Sequence, residues 1–219
     1  MKKLSKIIAL LLCAVLSCAV LSSCGKDSSS TAAKKEIDPS LLKKESSFVI
    51  ALYPEYAPIA CERIESLVKD GFYDGLGFTR VYKEFMAQAG DATGTDKPSV
   101  DPIKGEFAEN GVKNDLSHKR GIVSMARRGN DNDSATCQFF IVYSDKAKKS
   151  LDGKYAAFGE VVEGMEVVDS FLNIEMAQGR DKIPTVPTEP ITILKAEVEG
   201  IDANGHTLCR FYMQVGNTK

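Results

Sequence analysis

Residues 78–91 read Phe-Thr-Arg-Val-Tyr-Lys-Glu-Phe-Met-Ala-Gln-Ala-Gly-Asp. Phe78 to Met86 is rich in aromatic and β-branched residues and reads as a strand. Successive side chains on a strand face opposite ways. That puts Phe78, Arg80 and Tyr82 on one face and Thr79 and Val81 on the other. Taken alone, Arg80 is best read as a solvated or ion-paired side chain. The same texture continues on both sides. Phe48 to Tyr53, Gly121 to Ala126, Gln138 to Tyr143 and Ala156 to Val161 read as strands, and Ile191 to Val198 alternates apolar and polar residues. One helix is predicted from Pro58, with Cys61, Ile64, Leu67 and Val68 at helical spacing and Gly71 as its cap. Met165, Val168, Phe171 and Leu172 predict a second. Asn204-Gly205 predicts a hairpin into the last residues. Many short strands and two helices imply an all-β antiparallel barrel or sandwich.

The N-terminus reads differently. Lys2, Lys3 and Lys6 precede the apolar run Ile7 to Leu21, the pattern of a secretory signal. Leu21-Ser22-Ser23-Cys24-Gly25 is similar to the bacterial lipobox, whose cysteine receives diacylglycerol. A plain transmembrane helix would not explain why this sequence is followed at once by a Ser-rich polar stretch. Cys18 is a poorer candidate, because more apolar sequence follows it. Residues 1–23 are therefore expected to be a lipoprotein signal peptide, and 24–46 the lipidated Cys24 with a flexible tether. Residues 47–199 are expected to form the folded domain, and 200–219 a C-terminal extension in the form of a hairpin strand. The implied location is the extracytoplasmic face of a bacterial membrane.

Of 219 residues, 43% are hydrophobic and 26% charged, enough for a sizeable core. The formal net charge is −2; loss of residues 1–23, with three lysines and no acid, takes it to −5. Such a surface gives no electrostatic reason to bind nucleic acid. Cys61, Cys137 and Cys209 show no CxxC spacing, and His118 and His206 lie near no cysteine pair. No metal site is expected, and at most one disulfide; buried free thiols fit better.

Three ordered segments carry a family resemblance. Residues 78–91 resemble the cyclophilin signature F-H-R-V-x-x-x-F-M-x-Q-G-G-D. Gly121-Ile-Val-Ser-Met-Ala-Arg127, followed by Ser134-Ala-Thr-Cys-Gln-Phe-Phe-Ile141, resembles G-x-x-S-M-A-[NR] followed by S-Q-F-F-I. Leu151-Asp-Gly-Lys-Tyr-Ala-Ala-Phe-Gly-Glu-Val161 resembles L-D-G-K-H-x-x-F-G-x-V. The resemblance covers roughly residues 47–198 and implies a closed, eight-stranded antiparallel barrel capped by two helices. It implies peptidyl-prolyl cis-trans isomerase activity on proline-containing polypeptides, by a monomer without a cofactor. By position, Arg80 matches the catalytic arginine. Phe85, Met86, Phe140 and Leu151 match the walls of a proline pocket, and Gln88 a glutamine that positions the arginine and the substrate carbonyl. Ala126 and Arg127 match backbone contacts to substrate, Gln138 the pocket rim, and Tyr155 the pocket edge.

The sequence departs from the family pattern at four places. Tyr155 stands where histidine is usual, Ser150 where many members carry a tryptophan that contacts cyclosporin, Thr79 for the histidine before the arginine, and Ala89 for the first of two glycines. A glycine there with positive φ would make Ala89 a strained substitute. These replacements keep two other readings open: a non-catalytic proline-peptide binding module or holdase, and a surface adhesin whose barrel is only scaffold.

Overall fold

The computed structural model describes residues 37–180 and 182–217. The expected signal peptide, Cys24 and the tether as far as residue 36 lie outside the described residues. Residues 37–46 form two short 3₁₀ turns, Pro39–Leu41 and Lys44–Ser46.

Ten strands and three α-helices follow among the described residues. In chain order they are β1 (Ser47–Leu52), α1 (Pro58–Lys69), β2 (Phe78–Tyr82), β3 (Met86–Ala89), β4 (Ile122–Met125), β5 (Phe139–Val142), α2 (Lys148–Leu151), β6 (Ala157–Glu163), α3 (Met165–Ser170), β7 (Met176–Gln178), β8 (Pro184–Pro187), β9 (Ile191–Ile201) and β10 (Thr207–Val215). Eight of the strands make one curled antiparallel sheet in the order β2-β3-β5-β4-β6-β1-β10-β9, and β7 and β8 pair separately. The last strand is not peripheral: β10 lies between β1 and β9, and the Asn204-Gly205 turn joins it to β9.

The expected closed barrel is not formed as a continuous ladder; the sheet is open between β2 and β9. Among the described residues the two edges are hydrogen-bonded just before β2. Gly77 bridges Thr192, the Gly75 N–H donates to the Ile193 carbonyl, and the Ile193 N–H donates to the Leu76 carbonyl, both at 2.8 Å. The β7–β8 hairpin packs beside β2 and covers part of that edge, which blunts an otherwise exposed strand.

Residues 78–86 are not one strand. Lys83-Glu84 forms a turn, the Phe85 N–H donates to the Tyr82 carbonyl, and Tyr82 pairs with Met86 across a hairpin. Nor does simple alternation hold. The β2–β3 register shifts between Phe78 and Arg80, so Phe78 and Val81 both enter the core while Arg80 does not. A bulge of this kind re-aims one side chain without breaking the sheet.

The main core fills one face of the sheet. Phe48 stacks on Phe211 with centroids 5.2 Å apart, and Tyr73 meets Phe139 edge-on. Ile64, Leu67 and Val68 press α1 onto the same core. The end of α1 is closed by the Gly71 N–H on the Val68 carbonyl and the Phe72 N–H on the Leu67 carbonyl, a Schellman pair with Gly71 at φ 64°. Its start has no side-chain cap from Ala57. Instead Glu106, buried and 46 residues away from Ala60, accepts from the Ile59 and Ala60 N–H groups at 3.0 and 2.9 Å. Cys61, Cys137 and Cys209 are buried free thiols. Burial, its largest cause, pushes Cys61 and Cys209 up to about 12.

Candidate functional site

On the face of the sheet away from the main core, a groove of about 510 Å³ is lined by residues of β2, β3 and β5 and of the segment that follows β4. Strand register assembles its centre: Arg80 lies opposite Gln88 and Gln88 opposite Phe140, which pairs in turn with the buried Ser124. Four residues from four positions in sequence thus sit side by side. The ten positions singled out from the sequence, Arg80, Phe85, Met86, Gln88, Ala126, Arg127, Gln138, Phe140, Leu151 and Tyr155, all line this groove.

Its floor is apolar. Met86, Phe140, Val142, Ala147 and Leu151 form a small buried cluster apart from the main core, with Phe85, Ala126 and Tyr155 packed against it. The helix α2, absent from the sequence reading, carries Leu151 into this cluster. Its walls are polar. Gln88 Nε2 donates to Gln138 Oε1 at 2.7 Å, and the Ala126 N–H donates to the Gln138 carbonyl at 2.9 Å. The Tyr155 ring meets Phe140 edge-on at 5.8 Å, and the Arg127 guanidinium lies over Tyr155 at 4.7 Å and over Phe107 at 5.1 Å. Tyrosine therefore keeps an aromatic wall where the family pattern has histidine, clamped from two sides.

Two other departures are accommodated. Thr79 is exposed, away from the groove. Ala89 is buried in β3, and Lys182 is the one non-glycine residue with positive φ among those described. The strain that a positive φ would have imposed on Ala89 does not arise. The left-handed position is Gly90, at φ 85°, where a Cβ would stand 2.6 Å from the Cys137 carbonyl oxygen.

Pro102, Ser134 and Thr136, not singled out from the sequence, complete the groove together with Arg128, which opens a polar loop, Arg128 to Asp133, that reads as solvated rather than as tuning substrate access. His118 reads from the sequence as a structural loop residue outside the matched catalytic positions. His118 is buried under the floor, its ring stacked on Phe140 at 6.2 Å. Nδ1 lies 2.8 Å from Asp152 Oδ1 and Nε2 3.0 Å from Ser124 Oγ. A carboxylate only accepts, so Nδ1–H donates to Asp152 and Nε2 accepts the Ser124 hydroxyl. Burial lowers the pKa of His118 and outweighs the opposing pull of Asp152. Burial opposes ionisation of Asp152 too, but donors from the His118 backbone, Ser117 and the His118 ring prevail and lower its pKa.

The His118 imidazole couples folding to pH. The unfolded chain takes up a proton at this side chain near its ordinary pKa of 6.5, while the folded chain resists it. Stability that is present above pH 6.5 is therefore lost as pH falls below it, by at most about 1.4 kcal/mol per pH unit. Melting temperatures between pH 7.5 and pH 5 check this. The wild type falls more steeply than His118→Asn; equal slopes would contradict it.

The profile of the cyclophilin-type peptidyl-prolyl cis-trans isomerases matches residues 41–198. A peptidyl-prolyl cis-trans isomerase of Acinetobacter baylyi is 39% identical over 159 residues, covering 70% of this chain and 80% of that protein. One from Schizosaccharomyces pombe is 38% identical over 149 residues, covering 68% and 90%. Among solved structures, a Cryptosporidium parvum cyclophilin-type isomerase superposes with a TM-score of 0.56 at 25% identity, covering 68% of this chain and 95% of its own. The same protein in the presence of the dipeptide Ala-Pro gives 0.56 at 22% identity, covering 80% and 97%. The chain that folds into this groove belongs to the cyclophilin-type peptidyl-prolyl cis-trans isomerases.

Proposed function

We propose that this isomerase turns X-Pro bonds of secreted or surface proteins, with Arg80 stabilising the twisted amide, and that Cys24 tethers it to the outer face of a bacterial membrane. The observation that carries the reading of the site is the register Arg80–Gln88–Phe140, which sets a cation and an amide beside an apolar slot.

The chemistry needs that combination. Rotation about a peptide bond meets a barrier of about 18–20 kcal/mol because the C–N bond has partial double-bond character. Cis and trans X-Pro differ by only about 0.5–1 kcal/mol, so both isomers are populated and exchange slowly. No covalent bond need form or break. In the twisted state conjugation is lost and the lone pair returns to the proline nitrogen, which becomes a hydrogen-bond acceptor. A guanidinium already aimed there favours that state over either planar isomer, without reorganisation at the moment of rotation. Arginine stays protonated throughout the working range.

Placement in the groove supports the remaining roles. Met86, Phe140 and Leu151 hold the pyrrolidine ring, with Phe85 at the margin. Gln88, fixed by Gln138, orients Arg80 and the substrate carbonyl. Backbone groups at Ala126 and Arg127 bind the peptide, and Tyr155 closes the edge. The substrate class is also supported by the Cryptosporidium relative, solved in the presence of Ala-Pro. A protease-coupled assay of the full chain on an Ala-Pro peptide tests the activity. Saturable acceleration is expected; a folded protein that leaves the uncatalysed rate unchanged would refute the reading.

The anchor rests on the sequence Leu21-Ser-Ser-Cys24-Gly25 after an apolar run. A single acyl chain binds membranes only marginally, so a diacylglyceryl group is what stable attachment requires. Cys24→Ala is expected to move the protein from the membrane pellet to the soluble fraction. Unchanged fractionation would count against the anchor and leave the isomerase intact.

A further inference from the structure

Three arginines, Arg80, Arg127 and Arg128, border the groove, and among the described residues no acidic side chain lines it. This contrasts with a chain of net charge −2. Arg127 and Arg128 follow the end of β4 and stand together on one side of the floor. Arg127 is fixed: Nε donates to the Lys154 carbonyl at 3.0 Å and Nη1 to the Arg128 and Gly129 carbonyls at 2.9 and 3.3 Å. Those partners and the two aromatic rings hold its position but leave its charge uncompensated by any carboxylate among the described residues.

Arg128 differs in kind. Its backbone is pinned, the N–H donating to Ser134 Oγ at 2.8 Å while that hydroxyl donates to the Asp131 carbonyl at 2.7 Å. Its side chain is 72% exposed and touches Asp131 at 3.4 Å, a long, solvent-exposed ion pair of the kind that contributes little. A carboxylate entering from the groove can displace Asp131 at small cost. Nearby Asp133 is already engaged with the Gly105 N–H and Asn110, so it does not compete for the guanidinium.

We propose that Arg127 and Arg128 make this enzyme selective for X-Pro substrates that carry a carboxylate side chain on one flank of the proline. The inference rests on the isomerase reading of the groove. Arg127 supplies a fixed field and Arg128 a mobile partner. Both lie on one side of the proline slot, so the preference falls on one flank only. It weakens with salt, because exposed charges are screened over about 10 Å at 0.1 M ionic strength and about 3 Å at 1 M.

The test is a peptide series with Glu, Gln or Lys placed at each position from three before to three after the proline, assayed with the full chain. The Glu-to-Lys ratio of kcat/KM cancels changes in basal rate within each variant. At low salt a ratio of about ten is expected at one flank, falling to about two near 0.5 M NaCl. Arg128→Glu should bring the ratio to about one or below, and Asp131→Asn should raise it, since the competing carboxylate is gone. Dissociation constants for the same peptides from NMR titration give the same ratios without turnover. Failure of catalysis on every peptide would thus strike the isomerase reading alone. Ratios within twofold at all positions, or a ratio that Arg128→Glu does not move, would overturn the selectivity.

Discussion

Arg80→Ala is expected to lower kcat/KM on an Ala-Pro peptide by about 10²- to 10³-fold, the range seen when one preorganised donor to a transition state is removed. Peptide affinity should change far less, because the ground-state grip comes from the apolar floor and from backbone groups near Ala126. The loss therefore falls mainly on kcat. Arg80→Lys separates charge from geometry. An ammonium keeps the charge but lacks the planar fork, so partial activity is expected between wild type and alanine. The change should not propagate into the core, because Arg80 lies outside it while Phe78 and Val81 on the same strand fill it. Steady-state kinetics with a melting curve for each variant check the split. A comparable loss of affinity and rate would make Arg80 a binding residue instead.

Glu106→Ala is expected to be strongly destabilising. Glu106 accepts from the first free N–H groups of α1, at Ile59 and Ala60. Its removal leaves the Ala60 N–H without a partner in a fully buried position. A buried orphan costs about 1–3 kcal/mol, and loss of a helix cap about 1 kcal/mol. Together they come to about 3 kcal/mol, or about 6–12 °C in Tm for a domain of this size. Glu106→Gln keeps one acceptor oxygen and should lose about half as much. The next residue, Phe107, lies under the Arg127 guanidinium. Some loss of activity below the melting transition is thus also expected in Glu106→Ala. Thermal melts of the three proteins, followed by assays well below Tm, decide it.

The helix cap shows why parts of the fold were hidden in the sequence. Position 57 is alanine, and the acceptor that replaces a cap lies 46 residues on from Ala60. No local pattern encodes that contact. The β7–β8 hairpin was hidden for another reason: Pro184 and Pro187 disguise β8, since proline marks edges and turns more often than strands. The bulge between Phe78 and Arg80 defeated an argument from alternation, which assumes unbroken register. The continuous closure inferred from resemblance gives way at residues 75–77, where isolated contacts replace a ladder.

The centre of the site was more legible. Arg80, Gln88, Phe140 and Leu151 sit in short motifs whose order survives in the fold, and strand register brings the first three side by side. What escaped was the rest of the groove. Pro102, Arg128, Ser134 and Thr136 come from irregular segments, where no period predicts which way a side chain points. The partners of His118, read only as structural, escaped because Asp152 lies 34 residues away and burial beneath Phe140 has no local pattern.

The most direct measurement is two-dimensional exchange NMR on an Ala-Pro peptide with a catalytic amount of the full chain, recorded for wild type and Arg80→Ala. Wild type should produce cis-trans exchange cross-peaks within a mixing time at which the free peptide shows none, and Arg80→Ala should abolish them while still shifting the resonances of groove residues. Wild-type protein that binds the peptide in the groove yet yields no exchange, or Arg80→Ala that exchanges it at the wild-type rate, would contradict the account.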